Sequence, residues 1–126
     1  MTERAVWAEF LRHHEPDISP WEVRRRGGRA RVEGLRVLDL TNPAVRGPIG
    51  VGVEELVSDD LARCQQVAAW AQRAGYEGIL APSAALGGEV ILAVFAAALG
   101  KVTEEHSRVQ RPPRRIAPLV PRIPRA

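Results

Sequence analysis

Gly75–Phe95 reads GYEGILAPSAALGGEVILAVF, and it decides the fold. Ile79-Leu80-Ala81 and Val90–Phe95 are short, continuous apolar runs bounded by turn residues, the pattern of buried strands. Between them lies PSAALGG, whose only hydroxyl is Ser83. Gly and Pro on both sides predict a tight loop that lets another group approach the backbone. A polar loop between two buried strands is a common place for a binding residue. Ile79–Leu99 is also about as long as a membrane span. Pro82, Gly87, Gly88 and the acid Glu89 interrupt it, and no aromatic residues anchor both ends, so the strand reading prevails.

Upstream, Ser58-Asp59-Asp60 reads as the start of a long helix, with Ser58 as N-cap and acids in the first turn. Leu61, Cys64, Val67, Ala68, Ala71 and Ala74 trace its apolar face, and Gly75 supplies a left-handed C-terminal position. Cys64 on that face reads as a packed thiol. Thr41-Asn42-Pro43 predicts a short helical turn capped by Asn42. Gly47–Gly52 reads as a loop and Val53–Val57 as a brief helix. Strands are expected at Ala30–Val32 and Leu35–Leu40, where Asp39 bonds a neighbouring turn. Thr2–His13 reads as a helix capped by Thr2, with Val6, Trp7, Phe10 and Leu11 as its stripe. Glu9 lies off the middle of that stripe, where the ordinary reading is a solvated carboxylate. The sum is an α/β (α+β) domain, a small mixed sheet flanked by helices.

Composition narrows the function. The 126 residues suffice for one domain with a modest core. The start of the chain has no apolar h-region, and one cysteine permits no internal disulfide, which together suit the cytoplasm. The net charge of +3 is unevenly spread: six arginines and no acid follow from Arg108 onward, so the rest is slightly acidic. Residues 103–126 are rich in Pro and Arg and read as a disordered tail after a domain of residues 1–102. Without interleaved aromatics the tail offers no stacking platform, so direct nucleic-acid binding is not expected. Arg24, Arg25 and Arg26 read as a solvated charge run.

Generic motifs are absent. There is no GxxxxGK[ST] loop, no GxGxxG and no metal-spaced Cys/His set. Adjacent His13 and His14 would splay about 100° apart on a helix, and His106 stands at the start of the tail. Ser83 lies in APSAA rather than in a G-x-S-x-G elbow, so a hydrogen-bonding serine is expected in place of a nucleophile. From the residues alone the reading stops at an α/β domain with a pocket near Ser83.

The pieces in order are WAEFLRH, RVLDLT, and DDLARCQQVAAWAQRAGYEGILAPSAALGG followed by an apolar strand. Together they resemble the RES domain family, the toxin halves of bacterial RES–Xre toxin–antitoxin pairs, over about residues 3–100. The resemblance implies an ADP-ribosyltransferase-like fold with NAD as substrate rather than cofactor, degraded by glycohydrolysis or phosphorolysis. It implies an Xre-type antitoxin as partner. Glu9 in WAEF matches the family glutamate, the implied catalytic carboxylate. Ser83 in APSA matches the family serine, implied to position the ribose or the nicotinamide amide. The family's Arg, with its nearby Tyr, precedes the glutamate helix, so the expected fold lacks its N-terminal part. The strand after the loop reads EVILAVF, without the Asn usual in the family. A non-catalytic RES-like module that binds an antitoxin or self-associates is the alternative.

Overall fold

The computed structural model describes residues 2–13, 25–58 and 60–110. Helix α1 spans Glu3–His13. Its first turn is capped as the sequence predicts, with the Ala5 N–H donating to Thr2 Oγ1 at 3.1 Å. The buried face differs from the expected stripe: Ala5, Trp7 and Ala8 are buried, whereas Val6 is 48% exposed. Ala5 and Ala8, three positions apart, share the buried face of the helix, and Val6 lies off it.

The central layer is a mixed three-stranded sheet of β2 (Val37–Asp39), β3 (Gly78–Pro82) and β4 (Val90–Val94), in the order β2-β3-β4. Strand β2 runs parallel to β3, in the register Val37↔Gly78, and β3 runs antiparallel to β4, from Gly78↔Val94 to Pro82↔Val90. A parallel pair needs a helical crossover. Three helices supply it: α2 (Pro43–Ile49), α3 (Val53–Leu56) and α4 (Ala62–Arg73). Asn42 caps α2 by accepting from the Ala44 N–H at 2.9 Å, with Pro43 in its first turn. That helix runs through Pro48 to Ile49, where a loop is expected from the sequence. Gly50, at φ 76°, ends it.

Helix α4 begins at Ala62, later than expected. The Ser58 hydroxyl accepts from the Asp60 N–H, and Asp60 in turn accepts from the Ala62 N–H, both at 3.0 Å. Two successive side-chain turns thus occupy the place of a first helical turn. At its other end Gly75 takes φ 87°, with Gly75 N–H bonded to Gln72 O and Tyr76 N–H to Ala71 O. This is the left-handed termination expected at Gly75, and it turns the chain directly into β3.

The main core lies between sheet and helices. Leu38, Leu40, Val51, Val67 and Ala71 are buried there, with Ile49, Leu56, Tyr76, Ile79, Ala81 and Phe95 packed against them. A second, smaller cluster of Trp7, Ala8 and Ala85, covered by Phe10 and Leu86, joins α1 to the loop between β3 and β4.

A separate antiparallel ribbon pairs β1 (Arg25–Val32) with β5 (Val102–Gln110). Residues 103–110, read from the sequence as the start of the tail, are therefore strand. Val102, Thr103 and Val109 favour extended backbone, and pairing with β1 satisfies it. The rest of the expected tail, 111–126, lies outside the described residues. A 3-10 turn at Ala96–Lys101 leads into β5. Glu77 fastens this junction: its Oε2 meets Lys101 Nζ at 2.7 Å, its Oε1 accepts from the Arg36 N–H at 3.0 Å, and Lys101 Nζ also reaches Gly34 O. No described helix is long and apolar enough to cross a membrane.

Candidate active site

The two strands of the opening stretch place Ser83 with little freedom. Pairing of β3 with β4 continues one step beyond Pro82↔Val90, because the Ser83 N–H bonds Glu89 O at 2.8 Å. The loop then closes on itself through Glu89 N–H to Leu86 O, with Gly88 at φ 80°. That backbone region strains any residue with a side chain, which is why glycine stands there. Ser83 is left 5% exposed, the sole buried polar side chain among the described residues.

Helix α1 brings Glu9 to it. The Ser83 hydroxyl donates to Glu9 Oε1 at 2.8 Å, joining residues 74 positions apart. Ser83 Oγ also accepts from the Leu86 N–H at 3.1 Å and the Ala85 N–H at 3.3 Å. Glu9 is half-buried and not the solvated surface group that its residue type suggests. Trp7 and Phe10 on α1 meet edge to face, with ring centroids 5.9 Å apart, and the cluster they form includes Ala85 and Leu86. Apolar packing and one hydrogen bond thus hold the same helix against the same loop. A carboxylate fixed beside a glycine-rich loop can stabilise a developing positive charge and orient a nucleophile.

Other sequence candidates lie elsewhere. Asp39 Oδ1 accepts from the Thr41 N–H and hydroxyl, a turn contact as expected. The Cys64 thiol contacts Glu55 O at 3.5 Å, and burial, followed by the charges of Glu55 and Asp60, pushes its pKa up. A thiol so disposed stays protonated and is a poor nucleophile. Arg25 and Arg26 open β1 at the end of the ribbon. His14 and Arg24 fall outside the described residues, as do the side chains of His13 and His106. No cluster of three or more described His, Cys, Asp or Glu residues could hold a metal ion. The sequence reading missed the Ala85 and Leu86 amides, because a backbone N–H has no residue-type signature. It also missed the part Trp7 plays in seating the loop, which its helical spacing marks only as core.

The RES domain family model matches residues 1–115, a span that runs past residue 102 and across β5. A Mycobacterium tuberculosis (strain ATCC 25618 / H37Rv) protein named "Probable NAD(+) phosphorylase" is 47% identical over 122 residues, covering 96% of this chain and 58% of that protein. The crystal structure of the M. tuberculosis MbcT–MbcA toxin–antitoxin complex holds a similar chain. Its TM-score is 0.60 at 32% identity, over 69% of this chain and 48% of that one. The chain spans about half the length of these relatives. With the family model matched over nearly the whole sequence, and with Glu9 and Ser83 meeting across the fold, the chain belongs to the RES domain family.

Proposed function

We propose that this chain is the toxin component of a bacterial type II toxin–antitoxin pair, acting in the cytoplasm on NAD. The observation that carries the proposal is the 2.8 Å bond between Ser83 and Glu9, which supports reading the glutamate and serine of the resemblance as one site. The relative named as an NAD(+) phosphorylase and the toxin–antitoxin complex support it. The partner is then an antitoxin protein of Xre type.

In this reading the bond between the nicotinamide nitrogen and C1 of its ribose breaks, and the pair of electrons leaves with nicotinamide. Positive charge builds on C1 and the ring oxygen, as in glycoside cleavage. Glu9, held against the loop, stabilises that charge and orients the acceptor. Water as acceptor yields ADP-ribose, and phosphate yields ADP-ribose carrying the phosphate on C1.

NAD loss by the purified chain, with and without phosphate, tests the proposal beside Glu9→Gln. The expected outcome is turnover that falls about 100-fold or more in the variant, the usual weight of one positioned acid–base group. A folded chain that consumes no NAD under either condition refutes catalysis and leaves a module that binds a partner.

A further inference from the structure

The resemblance implies that Ser83 touches the substrate. The geometry points elsewhere. A serine hydroxyl has one hydrogen to donate and two lone pairs to accept with. In this site all three are used within the protein: the hydrogen by Glu9 Oε1 at 2.8 Å, the lone pairs by the N–H groups of Leu86 at 3.1 Å and Ala85 at 3.3 Å. The Ser83 backbone N–H is also committed, to Glu89 O at 2.8 Å. The residue is 5% exposed. A ribose hydroxyl or an amide could gain a bond to Ser83 only by displacing one of these partners, and loss of the Ala85 or Leu86 contact would leave a buried or half-buried N–H without its acceptor.

We propose that Ser83 is a positioning residue, which holds the Glu9 carboxylate against the β3–β4 loop and makes no contact with NAD. Its hydroxyl links two things that must stay together. One is the loop, through the Ala85 and Leu86 amides. The other is helix α1, through Glu9. Trp7, two residues before Glu9, and Ala85, two residues after Ser83, lie in the same buried cluster, so apolar packing brackets the bond. Recognition of the ribose and nicotinamide then falls to other groups. The inference rests on Glu9 being the acting carboxylate, and its test separates the two.

The experiment is a double-mutant cycle on NAD binding, read by calorimetry in the Glu9→Ala background, where turnover does not consume the ligand. With the carboxylate gone, adding Ser83→Ala is expected to change the NAD dissociation constant by less than about twofold. A further weakening of about fivefold or more, the size of one lost hydrogen bond, overturns the proposal. In the otherwise native chain, Ser83→Ala is expected to lower kcat while KM holds, and Ser83→Thr, which keeps the hydroxyl, is expected to restore kcat to within about threefold. A raised KM at unchanged kcat overturns it too. An NAD-independent reading is the carboxyl carbon signal of Glu9 in the labelled protein. It moves in Ser83→Ala and stays in Ser83→Thr if the bond exists in solution, even in a chain that neither binds nor degrades NAD. A signal indifferent to Ser83→Ala refutes the positioning role. Should Ser83→Ala not fold, Ser83→Thr decides: a folded variant with the Glu9 signal in place but with NAD binding about tenfold weaker overturns the proposal.

Discussion

Gly78→Ala tests how tightly the sheet beneath the site is packed. Gly78 is buried at the start of β3, with Val37 on one side and Val94 on the other. A Cβ there would lie 2.7 Å from the Ala93 carbonyl oxygen and 3.6 Å from Val94 Cα. Ordinary contact begins near 3.4 Å, so β4 must retreat by about 0.7 Å (3.4 − 2.7), and the obstructing atom is main chain that cannot rotate away. Overpacking of this kind costs about 1–3 kcal/mol. Removing a glycine from the unfolded ensemble returns about 0.4–1 kcal/mol. The net expectation is a loss of about 1–2 kcal/mol, or several degrees in Tm for a domain of this size. Urea and thermal unfolding by circular dichroism read it. Gly47→Ala is the control, because nothing lies within 4 Å of its added Cβ in α2. That change should stabilise by up to about 1 kcal/mol. A Gly78→Ala chain as stable as the native one, or more so, would refute the close approach of β3 and β4.

Substitutions at two further positions probe the junctions. The hydrogen bond from Lys101 and then that from the Arg36 N–H hold the Glu77 carboxyl below its ordinary pKa. A depressed carboxylate stabilises the fold above its unfolded pKa, about 4.3, and that contribution is lost as pH falls through the lower folded value. Glu77→Gln should therefore flatten the decline in stability on acidification below about pH 5, followed by urea midpoints, and identical slopes in both chains would count against the latch. Trp7→Ala removes the largest side chain from the cluster that seats α1 on the loop, at a cost of about 3–5 kcal/mol, whereas Trp7→Phe should retain most of the stability and the NAD turnover. Full turnover and an unchanged Tm in Trp7→Ala would show that this cluster does not seat the helix.

How far the sequence could be read depended on where each signal was stored. Apolar runs and glycines write local geometry directly, so β3, its loop, β4 and the turn at Gly75 were legible, as were Asn42 and Pro43 at the head of α2. Ser58 was misread because a serine before acids can cap a helix or bond its own turn, and the choice depends on the backbone that follows. Val6 suits a helical stripe as well as Ala8 does, and Ala85, which shares the buried cluster with Ala8, lies far along the chain. Strand β5 was hidden by its polar composition, since its partner Arg25–Val32 lies far back in the chain. For the site, residue types alone gave a pocket hydroxyl at Ser83 and a surface carboxylate at Glu9. Only the family motif suggested one pocket, and their meeting is a property of the tertiary fold.

The bond between Glu9 and Ser83 also sets an order in time. The glutamate leaves the ribosome 74 residues before the serine. At about 5–20 residues per second this is an interval of about 4–15 s. During it, helix α1 has neither its loop nor its sheet to dock on, and a helix of that length is marginal alone. The site therefore comes into being in one late step, when β3, the loop and β4 have all emerged and the first helix folds back over them. A nascent chain thus carries Glu9 for several seconds before the serine that bonds it has been made.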